Sequence, residues 1–177
     1  FGVAVVVTVH DVLPHDEYTD ENRRYFQKLY RVADRLVVHS ENNRREMLEL
    51  FDLDSRRLCV IPHGAQTLFN DHFDIPRTSA RRDLGLPDDT RIVLFFGLIK
   101  RYKGLEYLLQ AFERIAARCG NVTLLIAGKI YDGDADVHRH YTSLLSTYRT
   151  RSDVRLVSGY IPIEQVSRYF AAADLVV

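Results

Sequence analysis

Cysteine is scarce: Cys59 and Cys119 are the only two in 177 residues, far apart and in no CxxC pair. That excludes a cysteine-held zinc centre and a disulfide framework, and leaves both thiols as small apolar side chains expected to be buried. Net charge is equally scarce. The 24 basic residues balance the 24 acidic ones to a formal charge of zero, so the sequence carries no electrostatic footprint for nucleic acid, and any partner has to be recognised locally. Long apolar runs are missing as well. The first, Val3 to Val9, is far too short to span a bilayer, and no basic stretch leads into an apolar core and a cleavage site. A cytoplasmic protein is expected, with peripheral contact at the inner face of the cell membrane left open. Neither GxGxxG, nor GxxxxGK[ST], nor HExxH occurs, so the dinucleotide fingerprint, the P-loop and the common zinc-protease pair are excluded.

What is present is a globular composition, 46% hydrophobic, sufficient for a buried core. Apolar runs bounded by turn residues alternate with segments of helical period, the signature of parallel βαβ units. Strands are expected at 3–9, 35–38, 58–61, 92–96, 122–127, 154–157 and 175–177. Helices are expected at 21–33 behind Thr19 or Asp20, 41–50 behind Ser40, 105–118, 137–147 and 164–172. The segment from Gly64 to Asp89 breaks the alternation with turn formers and two prolines. The expected organisation is therefore an α/β fold of two Rossmann-like half-domains, 1–65 and 79–177, joined by a connection at 66–78, with a short helix at 79–84. The first residue already lies beside a strand and the last, Val177, inside one, so both half-domains are expected to be truncated pieces of a larger protein.

Ligands of open parallel sheets sit beyond the carboxyl ends of the strands. The residues found there are "HD" at His10, "HS" at His39, "PHG" at Pro62–Gly64, and Gly97, Gly128 and Gly159. In "FFGLIKRYKG", Gly97 ends a buried strand, and Lys100, Arg101 and Lys103 crowd cations just before a helix starting near Gly104. A helix N-terminus already favours anions, so the pattern suits a bound phosphate or diphosphate; a solvated basic turn is the plain alternative. "VIPHG" reads either as a strand closed by turn residues or as a loop lining a cleft. In "LLIAGKIYDGD", Gly128 admits close approach of a ligand or merely a strand-to-helix turn. His39 and Ser40 are accounted for by helix capping. "TVHDVLPHDE" at 8–17 has three readings: a divalent-metal site on His10, Asp11, His15 and Asp16, a polar turn, or a catalytic loop.

Taken in order, "VVVTVHD", "ADRLVVHSENNRREM", "VIPHG", "VLFFGLIKRYKGLEYLLQAF", "LLIAG" and "VSRYFAAADLVV" resemble glycosyltransferase family 4, retaining enzymes of the GT-B fold, in the variant with an FFGxIxxYKG motif. The resemblance implies that 1–65 is the latter part of an acceptor-side domain and that the nucleotide-sugar domain begins near residue 79. It implies that His10 is catalytic and faces the donor sugar, that Lys103 is catalytic and contacts the donor diphosphate, and that Gly97, Lys100, Arg101, Gly104 and Gly128 bind the donor. Asp11, His63 and Gly64 then line the cleft. Leu98 stands where the family commonly has arginine, so Lys100 or Arg101 is expected to supply the second cation. The family's paired glutamates would follow Val177.

The resemblance further implies transfer of a sugar from a nucleoside diphosphate sugar to a glycan, lipid-linked or other acceptor in polysaccharide biosynthesis, with no metal and no other cofactor. A non-catalytic nucleotide-sugar or glycan-binding module, a nucleotide-sugar epimerase of the same fold, and a metal-dependent hydrolase are the alternatives.

Overall fold

The computed structural model describes residues 2–13, 19–64 and 75–177. The chain divides into two compact units, Phe1–Ala65 and Gln66–Val177. Most of the expected connection at 66–78, together with His15 and Asp16, lies outside the described residues.

The first unit holds a parallel sheet in the order β1 (Val6–Val9), β2 (Arg35–Val38), β3 (Leu58–Val60). Two helices connect the strands, α1 (Asp20–Val32) and α2 (Glu41–Leu50). Thr19 and Ser40 begin them as expected, each side chain accepting an amide of the first turn, from Asn22 and Asn43. At the other end of α1, the Arg57 guanidinium donates to the carbonyls of Tyr30, Arg31 and Ala33, meeting acceptors that the last turn leaves free. The core is a single cluster that includes Val9, Tyr30, Leu36, Val38, Met47, Phe51 and Leu58. The expected strand at 3–9 is shorter than its apolar run: Val3 is 86% exposed and Val6 60%. β1 pairs only with β2 among the described strands, so the outer part of the run has no sheet partner to cover it.

The second unit is a four-stranded parallel sheet in the order β6 (Val154–Ser158), β5 (Val122–Gly128), β4 (Arg91–Phe96), β7 (Leu175–Val176). Alternation along its central strands feeds two separate cores. Val93, Phe95, Val122, Leu124 and Ile126 pack with α4 (Leu105–Cys119) and α5 (Ala135–Ser146). Ile92, Leu94, Leu125 and Ala127 pack on the opposite face with Ala80 of α3 (Arg77–Asp83) and Tyr169 and Ala172 of α6 (Ile163–Ala172). Every residue of β5 is buried, as a doubly covered parallel strand requires. The short helix expected at 79–84 begins two residues earlier, inside the expected connection.

Both cysteines are exposed, contrary to expectation. Cys59 alternates with the buried Leu58 on β3, the last strand of its sheet, and Cys119 closes α4. Period decides their placement, not hydrophobicity.

Candidate functional site

In the second unit the chain leaves β4 at Gly97 and remains tied to the extension of β5. Ile99 donates to the Lys129 carbonyl at 2.8 Å and accepts from the Tyr131 amide at 3.1 Å. Lys100 lies 4.2 Å from the centre of the Tyr131 ring, Lys103 lies 5.4 Å from that of Tyr102, and a single 3-10 turn runs over Arg101–Lys103. Gly104, left-handed at φ 69°, ends that turn and caps α4. The basic residues thus sit on a pinned turn immediately before the helix, as the sequence indicated. Among the described residues, none of Lys100, Arg101 and Lys103 is in salt-bridge contact with a carboxylate.

The acidic group in the first turn of α4 is engaged elsewhere. Glu106 accepts from Tyr141 at 2.8 Å on one oxygen and meets His140 at 3.1 Å on the other. Burial pushes its carboxyl up, but hydrogen bonds from Tyr141, its own backbone and His140 outweigh that and hold it below the usual range. "DVHRHY" is therefore a helix face that ties α5 to α4.

Beside the basic turn lies a pocket of about 330 Å³ that includes Phe96, Gly97, Leu98, Gly128, Tyr160 and Ile161 in its lining. The carboxyl ends of β4, β5 and β6 form it, with a mostly apolar wall. Gly128 serves the backbone as well as this pocket: at φ 154°, a Cβ on it would fall 1.9 Å from the Gly97 carbonyl oxygen. The adjacent strand ends approach closely enough that only glycine fits there.

In the first unit the parallel register aligns Val9 with Val38 and Val38 with Val60. His10 and His39 consequently leave neighbouring strands side by side, with ring centroids 5.0 Å apart. His63 stacks on His39 at 3.6 Å and lies 5.8 Å from His10. His39 Nδ1 is 2.9 Å from the Ile61 carbonyl oxygen. A carbonyl can only accept, so Nδ1 carries a proton, and in the neutral ring Nε2 presents a lone pair. That Nε2 is buried and, among the described residues, has no hydrogen-bond partner. Asp11 and Gly64 are exposed beside these histidines in sequence. Burial, and then the Asp11 charge, push the Tyr30 hydroxyl up to about 12, and it donates to the Val12 carbonyl at 3.2 Å.

The profile of the family described as Glycosyl transferases group 1 matches residues 76–177, more than half of the chain. The chain belongs to this family. A second profile, Glycosyltransferase Family 4, matches residues 1–67. Among curated relatives in the family, a D-inositol 3-phosphate glycosyltransferase of Corynebacterium aurimucosum is 31% identical over 98% of this chain and 42% of its own length. The Thermobispora bispora protein of the same name is 31% identical over 82% of this chain and 34% of its own. Solved structures superpose over nearly the whole chain. Anabaena HepE in complex with UDP and glucose has a TM-score of 0.77 at 20% identity, covering 98% of this chain and 45% of that one. Sucrose-phosphate synthase from Thermosynechococcus elongatus has 0.77 at 24%, covering 99% and 44%. The chain thus spans less than half the length of these relatives, and its α/β units with parallel sheets have the fold of glycosyltransferases.

Of the sequence-derived candidates, the structure brings Gly97, Lys100, Arg101, Lys103, Gly104 and Gly128 together in the second unit, and His10 and His63 together in the first. His39 was missed as a partner of these two, because its place before Ser40 is already explained by capping. The signal that finds it is the strand alignment, which puts "VH" at the ends of both β1 and β2.

Proposed function

We propose that this chain is part of a retaining glycosyltransferase that moves a sugar from a nucleoside diphosphate sugar to a glycan, lipid-linked or other acceptor. The observation that carries this reading is an apolar pocket continuous in sequence with a pinned cationic turn and a helix N-terminus. A flat nucleoside base suits the first and a diphosphate the second. Relatives whose names state UDP or UDP-glucose complexes support such a donor.

In the reaction, the bond between the anomeric carbon and the diphosphate oxygen breaks, the acceptor oxygen bonds to that carbon on the same face, and the acceptor's proton leaves with the departing diphosphate. Negative charge grows on the leaving phosphate, and stabilising that charge is the main chemical burden. Lys103, helped by Lys100 or Arg101 and the first amides of α4, supplies it, with no metal required for that step. His10 orients the sugar and stabilises positive charge developing at its anomeric carbon, while Asp11, His63 and Gly64 line the surface around it. A cytoplasmic location, with contact at the inner face of the membrane left open, goes with this reading; separately, among the described residues no helix is long and apolar enough to cross a membrane.

The test is made on the whole protein that carries this chain, assayed for nucleoside diphosphate release from UDP-, GDP- and ADP-sugars with and without EDTA. Lys103→Ala is expected to lower kcat/KM by about 100-fold or more, the scale of one preorganised charge at a leaving group. Turnover near wild type would refute the assignment.

A further inference from the structure

We propose that His10, His39 and His63 form a binding site for a divalent transition cation of the zinc class. Each offers one ring nitrogen, and these three nitrogens all lie within 4.8 Å of one another. Zinc holds imidazole nitrogens at about 2.0–2.1 Å, which sets them about 3.4 Å apart in a tetrahedron. Closing that distance falls on His10 and His63, both exposed, and requires the His63 ring to turn off its stack on His39.

His39 is the fixed member. Its Nδ1 proton is committed to the Ile61 carbonyl, the arrangement that metal-bound histidines use to set their tautomer and raise the basicity of the other nitrogen. That other nitrogen is buried and, among the described residues, lacks a hydrogen-bond partner. Simple ring stacking gives no reason for this, since buried polar atoms are ordinarily paired; an inward lone pair awaiting a ligand does.

The donor set is three neutral imidazoles without thiolate, which suits zinc and its neighbours and not magnesium or calcium. Its fourth position is left for water or an exogenous anion. The positive end of α2 begins at the next residue and opposes a cation, but its first turn is already capped by Ser40. The set differs from the metal reading of "HDVLPHD": it shares His10 and draws its other members from the ends of β2 and β3. It requires only the first unit; because it shares His10 with the proposed transfer reaction, metal and sugar are alternative occupants there, and the titration below reads metal binding without turnover.

Cobalt is the probe, because tetrahedral Co2+ has intense visible d–d bands that zinc lacks. The whole chain, stripped with chelator, is titrated with Co2+ and then with Zn2+. The expected result is one tetrahedral Co2+ per chain, displaced by one Zn2+, with affinity lowered at least about 100-fold in His39→Ala and in His63→Ala. His138→Ala and His140→Ala, on α5, should leave it unchanged. Absence of a tetrahedral spectrum in the unsubstituted chain overturns the proposal whatever the variants do, and so does tetrahedral binding undiminished in a folded His39→Ala chain.

Discussion

In the second unit the Asp174 side chain joins three elements. Its carboxylate takes Arg81 at 2.6 Å, the Ile92 amide at 2.7 Å and Arg77 at 2.8 Å. Arg81 is 4% exposed and also donates to the carbonyls of Ala172 and Asp88. One carboxylate therefore fastens α3, β4 and the start of β7. Burial pushes the Asp174 carboxyl up, but the Ile92 amide and the two arginines outweigh it and hold the group below its ordinary value. A carboxylate lowered on folding stabilises the fold above its unfolded pKa, about 3.9, and that contribution disappears as pH falls through the lower folded value. Asp174→Asn keeps the shape and strands a buried guanidinium, so it should destabilise by about 3 kcal/mol at neutral pH. The difference from wild type should narrow below about pH 4. Urea midpoints across pH measure both, and equal midpoints at pH 7 would remove the ion pair as a cause.

At the scale of elements, the tightest constraint is the crossing of strand ends at Gly97 and Gly128. Gly128→Ala puts a Cβ 1.9 Å from a carbonyl oxygen, which neither backbone can accept without parting β4 from β5. The expected loss is at least about 3 kcal/mol. Gly120→Ala is the control: it has positive φ but open space around it, so it pays only the left-handed backbone penalty, about 1–2 kcal/mol. Similar costs for the two substitutions would show that conformation, not contact, makes Gly128 necessary. Elements such as these were legible in the sequence where period and caps agree. The strand at 35–38 and the helix at 41–50 have the expected bounds because apolar alternation, Ser40 and the following polar turn all coincide. Legibility failed where a long-range partner decides. Val3 is apolar yet exposed, Cys59 faces outward by period, and His39 acquires its neighbours only through strand register. The basic turn could be read because its residues are contiguous; the histidine cluster could not, because its members come from three strand ends.

Across the whole molecule, the proposed roles divide between two units with separate cores. Lys103 belongs to the unit bearing the apolar pocket and the helix N-terminus, whereas His10 belongs to the other. This division has a consequence that binding and turnover can separate. On these proposed roles, affinity for a nucleoside diphosphate rests on charge at the basic turn, so Lys103→Ala should weaken it by about tenfold or more, the scale of one charge-assisted contact. In the proposed reaction His10 acts on the sugar, which a nucleoside diphosphate lacks. His10→Ala should therefore abolish transfer in the whole protein while leaving nucleoside diphosphate affinity close to wild type, because substitutions without shared partners act independently. Isothermal titration with UDP, GDP and ADP, beside the release assay, makes the comparison; it is run after chelation so that metal at His10 does not enter it. A large loss of nucleotide affinity in His10→Ala would move that histidine from the sugar to the phosphates and end the division of roles between the units.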